Sequence, residues 1–324
     1  MYDFISIGEM LIDFTMVKSV ESTGVLFEQN PGGAPANVAC ALSKLHRKTS
    51  FIGKVGNDQF GKFCKEALES CNVDSSNLVL SDMYATTLAF VHLSTKGDRS
   101  FSFYRKNLAD VNLNPSDVNL DLLKQTKIFH FGSVSMTDEP SRTTTLECVK
   151  QAKKNGAIIS YDPNLRTSLW ESIDTAKKII MDALPLADIL KISEDEAEIL
   201  FGERDCEKVA YKLSEKYNIP IVLVSKAQYG CVAVINSKTY TANAYDVATI
   251  DTTGSGDCFL AGFLHKLLDY NVDISNLKDE QINYMLEYAN AVGSLATTKK
   301  GAIPAIPSPE EIIWCMENCS KLIL

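Results

Sequence analysis

Residues 251–257 read D-T-T-G-S-G-D and run directly into the apolar stretch Cys258-Phe259-Leu260-Ala261-Gly262-Phe263-Leu264. Gly254 and Gly256 flank Ser255 where a helix should begin. The first turn of a helix carries unpaired N–H groups and a partial positive charge. Glycine lets such a backbone close around a ligand, and the combination makes an anion site. Asp257 stands at its mouth. A carboxylate is a poor partner for a phosphate, so this acid suits another task, taking the proton from a hydroxyl that attacks the phosphate. The competing structural reading is a capped helix start whose acid matches the dipole. No Lys follows Gly256, which excludes a P-loop. Phe259 stands where a dinucleotide fingerprint needs a third small residue.

Other residues with chemical potential lie in turns after apolar runs. Residues 2–7 read as a strand ending at Gly8, and Asp13 follows. In an open α/β sheet the strand ends line the ligand crevice, and a carboxylate can accept two O–H bonds from a polyol. Gly32 and Gly33, in P-G-G-A-P-A-N-V-A at 31–39, permit close backbone approach to a ligand, and Pro35 pre-sets a helix whose apolar period covers 36–45. A strand at 157–161 ends in D-P-N-L-R, where Arg166 either meets an anionic group or pairs with Asp162 or Glu171. Lys191, Ser193 and Glu196 follow a further helix; beside Glu194, Asp195 and Glu198, Glu196 could equally be an exposed helix acid. The apolar strand 221–224 leads into S-K-A-Q-Y-G at 225–230.

The elements that must position these groups alternate. From residue 128 on, a strand at 128–131, a helix near 141–154 and the strand at 157–161 give the βαβ rhythm of a parallel sheet. Residues 86–105 alternate in strand fashion about a T-K-G-D turn at 95–98, a hairpin outside that rhythm. A helix runs through 288–292 before T-K-K-G-A at 298–302, and a last helix covers 309–320. No internal repeat, low-complexity segment or linker interrupts the 324 residues, which suffice for one large α/β domain or two small ones. A net charge of -9 without a dense Lys/Arg run argues against nucleic acid or an acidic membrane as partner. Nine Cys without a C-x-x-C pair read as reduced, buried thiols. The N-terminal stretch has no basic region or long apolar run, so neither a signal peptide nor a membrane span is expected, and the location expected is cytoplasmic.

The 251–257 stretch resembles the C-terminal signature of the ribokinase (PfkB) family of carbohydrate kinases, D-T-x-G-A-G-D, with Ser255 in place of Ala. G-G-A-P-A-N-x-A at 32–39 is similar to the same family's N-terminal sugar-binding signature, and the two signatures lie far apart in the chain. Phe51 to Asp58, with Phe60-Gly61, looks like the family's next strand and turn. D-P-N-L-R is similar to D-x-N-x-R. Ser193 and Glu196 stand where the family has N-x-x-E. Residues 225–230 stand where it has T-x-G-x-x-G, but Ala227 occupies the first Gly position and is strained if φ there is positive. Lys226 adds compensating charge. Phe103-Tyr104-Arg105 with Ala109-Asp110 resembles the fructokinase branch.

The resemblance covers essentially the whole chain. It implies a ribokinase-like α/β fold: a mostly parallel central sheet sandwiched by helices, one domain over 1–324, with a small β lid from about 12–28 and 84–108. The activity implied is ATP-dependent phosphorylation of the 6-hydroxyl of D-fructose. A 2-keto-3-deoxygluconate kinase is the near alternative and a non-catalytic sugar-binding regulator the distant one. Asp257 would be the base, with Gly254, Ser255, Gly256 and Arg166 at the transferred phosphoryl group. Asp13, Gly32, Gly33, Asn37, Phe103 and Arg105 would bind the sugar. Asn164, Lys191, Ser193, Ser225, Gly230, Gly254, Gly256 and Asn290 would bind the nucleotide. Glu196 would order waters around Mg2+, and Asp251, Thr253 and Gly301 would surround a monovalent cation, K+. The lid would pair in a homodimer. The structural alternatives are lid packing for Phe103, a surface charge for Arg105, and a helix cap for Gly301.

Overall fold

The structure is a computed structural model that describes residues 1–17, 24–93 and 99–322. The first third holds β1 (Tyr2–Ile7), β2 (Leu11–Val17), β3 (Leu26–Gly32), α1 (Ala34–Lys44), β4 (Thr49–Gly56), α2 (Gln59–Ser70) and β5 (Leu78–Ser81). Then follow β6 (Leu88–Leu93), β7 (Arg99–Tyr104), β8 (Thr126–Gly132), α3 (Ser141–Lys154), β9 (Ile158–Asp162), α4 (Ile173–Ala183) and β10 (Ile189–Ser193). The last part holds α5 (Glu194–Phe201), α6 (Cys206–Tyr217), β11 (Ile221–Ser225), β12 (Cys231–Ile235), β13 (Lys238–Ala242), α7 (Ser255–Tyr270), α8 (Asp279–Ala296) and α9 (Pro309–Asn318).

Among the described residues, nine strands form one sheet in the order β13-β12-β11-β10-β9-β8-β1-β4-β5. It is parallel from β5 to β11, and β12 and β13 turn back antiparallel at one edge. Side chains alternate between its faces, so Phe4, Ile128, Ile189 and Ile221 enter one core while Ile5, Phe129, Leu190 and Val222 enter the other. Burial on both faces explains why these strands read as continuous apolar runs. Helices α1, α7 and α8 cover the first face; α3, α4 and α6 cover the second. All nine Cys are free thiols, eight of them buried, as expected. No described helix is long and apolar enough to cross a membrane.

Strand order reverses beside β1: the chain goes next to β4 and β5 on one side and later to β8 on the other. Because β1, β8, β9, β10 and β11 are parallel, the turns after them open on the same edge, at this switch point.

A second sheet, ordered β3-β2-β6-β7, stands on the turns next to that edge. Its register sets Asn30, Asp13, Ala89 and Phe103 side by side, on one face. Phe14 and Phe90 stack on the other at 5.0 Å between centroids, with Phe27 and Tyr104 edge-on to Phe90 and Phe60 of α2 edge-on to Phe14. Val25, Leu26, Phe27 and Tyr104 are exposed. The hairpin over 86–105 is therefore present as β6 and β7, while its turn at 95–98 lies outside the described residues, as does part of the segment 12–28. The last helix stops at Asn318, short of the expected residue 320.

Candidate active site

The anion site is built by glycine. Gly254 takes φ 76° as the cap of α7, and a Cβ there would lie 2.7 Å from that of Ala302. No side chain caps the helix, so no side chain takes up the N–H groups of its first turn. Ser255 donates its hydroxyl to the Gly293 carbonyl of α8 at 3.0 Å and its N–H to the Thr252 carbonyl at 3.3 Å, so this residue braces the turn. Asp257 is buried in the first turn, its carboxylate between two amides: Asn37 Nδ2 donates to Oδ2 at 2.8 Å and Asn164 Nδ2 reaches Oδ1 at 3.5 Å. Asn164, expected at the nucleotide, thus also touches the acid. Burial and then the Asp162 charge push the Asp257 carboxyl up to about 6, against the Asn37 hydrogen bond and the Lys191 and Arg166 charges. Such a group is a carboxylate at neutral pH yet basic enough to take a proton.

The sugar-side residues meet where β1, the small sheet and α1 converge. Gly33 has φ 124°, and a Cβ there would come within 2.3 Å of the Glu9 carbonyl; a Cβ on Gly32 would come within 2.2 Å of Asp13 Oδ2. Burial pushes the Asp13 carboxyl to about 6; Arg166 opposes this and Asp251 adds to it. Arg166 therefore lies within electrostatic reach of both acids. Asn37 Oδ1 is buried without a hydrogen-bond partner. Arg105 is no surface charge: it is 5% exposed, with Nε on Asp110 Oδ2 at 2.6 Å and a terminal nitrogen on the Val134 carbonyl at 2.9 Å. Much of its donor set braces the protein. Phe103 sits opposite Ala89 on the Asp13 face.

Beyond the anion site opens a cleft of about 740 Å³ lined by Lys191, Ser225, Gly256, Phe259, Asn290 and Leu322 among others. That volume suits a nucleotide-sized ligand. Lys191 Nζ pairs with Asp162 Oδ2 at 2.9 Å, both side chains buried. Burial alone would depress the Lys191 pKa, but Asp162, Glu196 and Asp257 raise it, so it stays a cation. Asp162 is thus the partner of Lys191, where Arg166 had been its candidate partner. Asn290 donates to the Leu286 carbonyl at 2.9 Å and forms wall. Gly230 has φ 79°, and a Cβ there would lie 2.0 Å from the Ala242 carbonyl. Ala227 does adopt positive φ, 47°, so the strain expected of a non-glycine residue is present. A smaller recess of about 390 Å³, lined by Tyr211, Pro220 and Asn236, lies at the opposite sheet edge.

Glu196 is not an exposed acid. It is 7% exposed, with Oε1 accepting from Leu165 N–H at 2.7 Å and Oε2 from Ser193 N–H at 2.7 Å. Ser193 caps α5 in return. This capping box ties the D-P-N-L-R turn to α5. No group of three or more His, Cys, Asp or Glu among the described residues could cage a metal. Asp251 accepts from Thr253 N–H at 2.8 Å and from Gly301 N–H at 3.0 Å, stitching the two loops expected around a cation. Gly301 is no cap of α8, which ends at Ala296.

No role for Glu9, no contact of Asp110 with Arg105 and no pairing of Asp162 with Lys191 was legible in the sequence. Glu9 had one visible signal, its place directly after the first strand.

An acid held by two amides at a glycine-built helix start, between the buried Asp13 carboxylate and a nucleotide-sized cleft, belongs to the class of small-molecule kinases. The comparisons narrow the class. The "pfkB family carbohydrate kinase" model matches residues 1–309, and the chain belongs to that family. It is 42% identical over 323 residues, 98% of each chain, to probable fructokinase-5 of Arabidopsis thaliana. Its fold superposes on fructokinase with bound ATP from Xylella fastidiosa with a TM-score of 0.89, at 31% identity and 98% and 99% coverage. A fructokinase double mutant from Vibrio cholerae O395, bound to fructose, ADP and potassium ion, gives 0.86 at 31% identity and 97% and 98% coverage.

Proposed function

We propose that this carbohydrate kinase transfers the γ-phosphoryl group of ATP to the 6-hydroxyl of D-fructose, giving fructose 6-phosphate and ADP. The observation that carries the reading is Asp257, buried at the mouth of α7 and titrating near 6. Asn37 and Asn164 aim its carboxylate, which accepts the proton as the hydroxyl attacks. The N–H groups of Gly254, Gly256 and Asp257 meet the charge on the transferred group, and Lys191 and Arg166 add positive charge beside it. Asp13, the Gly32–Gly33 backbone and the open Oδ1 of Asn37 take the sugar hydroxyls. Ser193, Ser225, Gly230 and Asn290 wall the nucleotide. Phe103 and the Asp13 face of the small sheet cover the sugar as a lid and exclude water, within a single domain over 1–324.

Mg2+ would be held with ATP, through its phosphates and waters and with few carboxylates of the protein. Both Glu196 oxygens already accept N–H bonds, which suits water-mediated contact. Bound Mg2+ neutralises phosphate charge. Asp251, Thr253 and the loop at Gly301 offer oxygens for K+, and the potassium-bound fructokinase supports that assignment. The exposed Val25, Phe27 and Tyr104 favour pairing of two lids in a homodimer. A cytoplasmic location fits this chemistry. The test is ADP release by the purified chain with ATP and a sugar panel. Fructose should lead; a larger kcat/KM for 2-keto-3-deoxygluconate would reject fructose and keep the kinase.

A further inference from the structure

We propose that Glu9 is a positioning residue: a buried carboxylate that anchors the start of α1 and so holds Gly32, Gly33 and Asn37 in place for the sugar. The inference rests on the reading of that loop as the sugar-binding one. Glu9 lies in the turn between β1 and β2 and is 4% exposed. Its Oε1 accepts the N–H of Ala34, the first residue of α1, at 3.0 Å. Its own carbonyl lies where a side chain at Gly33 would have to go, so it admits only glycine there. The loop is thus gripped by both side chain and backbone of one residue. One turn further along α1, Asn37 donates to Asp257 at 2.8 Å, so the Ala34 anchor also sets the helix that aims the base.

The second oxygen, Oε2, is buried with no hydrogen-bond partner. Native proteins rarely leave such an atom unsatisfied, and doing so destabilises the fold. Stability alone therefore gives no reason for an acid here. A carboxylate does suit a helix N-terminus, where it meets a positive dipole end and makes a charge-assisted bond. The charged groups that face it are Arg105, at the end of β7, and Asp110, in the turn that follows; these pair with each other at 2.6 Å, and Thr87 donates to Asp110 at 2.5 Å. Burial pushes the Glu9 carboxyl up to about 7; its own and Ala34's N–H groups and Arg105 hold it back, and Asp110 pushes further. Above that range the carboxylate grips Ala34; below it the protonated acid is a weaker acceptor.

The experiment compares wild type, Glu9→Gln and Glu9→Ala by steady-state kinetics, calorimetric fructose binding and thermal melting between about pH 5 and about pH 8.5. Glu9→Ala should raise KM and Kd for fructose about tenfold or more and leave KM for ATP within about twofold. Glu9→Gln keeps an acceptor for Ala34 and should stay within about threefold of wild type at the alkaline end. In wild type the fructose KM should rise as pH falls through about 7, and this step should be missing in Glu9→Gln. The step near 6 from Asp13 and Asp257 should remain in both. If Glu9→Ala merely melts earlier with both KM values unmoved, or if Glu9→Gln keeps the wild-type pH profile, the proposal is overturned. Should Glu9→Ala fail to fold, the Glu9→Gln profile decides alone. A wild type that phosphorylates fructose but loses ATP affinity in Glu9→Ala sinks the inference; a wild type that binds no sugar sinks the loop assignment beneath it.

Discussion

Asp257→Asn should produce a kinase that is crippled and, at alkaline pH, more stable than its parent. The change keeps size and shape but removes the proton acceptor, and loss of a general base lowers kcat by about 10²- to 10⁴-fold. The stability effect follows from the site. Asp257 titrates near 6 instead of its ordinary 3.8, chiefly because it is buried. At about 1.36 kcal/mol per pH unit, keeping it ionised above pH 6 opposes folding by about 3 kcal/mol. The substitution removes that cost. The exchange of a charge-assisted bond from Asn37 for a neutral one is already contained in that figure, because the Asn37 bond is among the causes that set the value near 6. The geometry keeps the neutral bond, because the Asn37 amide can turn over and offer its unpartnered Oδ1 to the new amide.

The net gain is therefore about 3 kcal/mol near pH 8. The sign is fixed by the raised pKa: the native state binds the proton more tightly than the unfolded chain, so wild-type stability from this group is complete below about 4 and is lost as pH rises through about 6. The advantage of Asp257→Asn should therefore vanish, or reverse, near pH 4. Coupled ADP release measures turnover, and urea melts at the two pH values measure stability. A kcat within tenfold of wild type, or a stability difference equal at both pH values, would refute the reasoning.

Ala227→Gly should stabilise the protein by about 1 kcal/mol, because the native φ of 47° disfavours any side chain; a lower melting temperature would show that the Cβ has a packing role. Exchanging K+ for a bulky organic cation at matched ionic strength should lower kcat if the Asp251–Gly301 junction holds a cation, and equal rates would reduce that junction to a loop staple. Asp13 near an unpaired substrate carboxylate about 4 Å away would oppose binding by about 4 kcal/mol at an effective dielectric near 20, so fructose should be preferred over 2-keto-3-deoxygluconate, and Asp13→Ala should lose fructose affinity without gaining the acid; comparable kcat/KM values for the two sugars in wild type would contradict this. Light scattering at micromolar concentration should give a dimer that Phe27→Asp dissociates, and a wild-type monomer would reject lid pairing.

Local rules settled much of this protein from its sequence alone. The helical stretch expected at 141–154 and the strand expected at 2–7 match α3 and β1, because helix and strand each impose a repeat on nearest neighbours. Gly33 and Gly254 marked backbone that must close tightly around a ligand, and both have positive φ. The strain at Ala227 was legible because the family's loop has glycine there. Tertiary structure decided which groups meet. Asn37 reaches Asp257 across 220 residues and Asn164 across 93. Glu196 looks like one exposed acid among several until the turn at Leu165 folds over it, and Arg105 looks like a surface charge until Asp110 and Val134 enclose it. Lys191 and Asp162 pair because β9 and β10 lie side by side in the sheet. Glu9 acquires its place only when α1 docks over the first turn. Burial and partner choice are properties of packing between distant segments, and strand order creates them; no period or spacing along one chain encodes them.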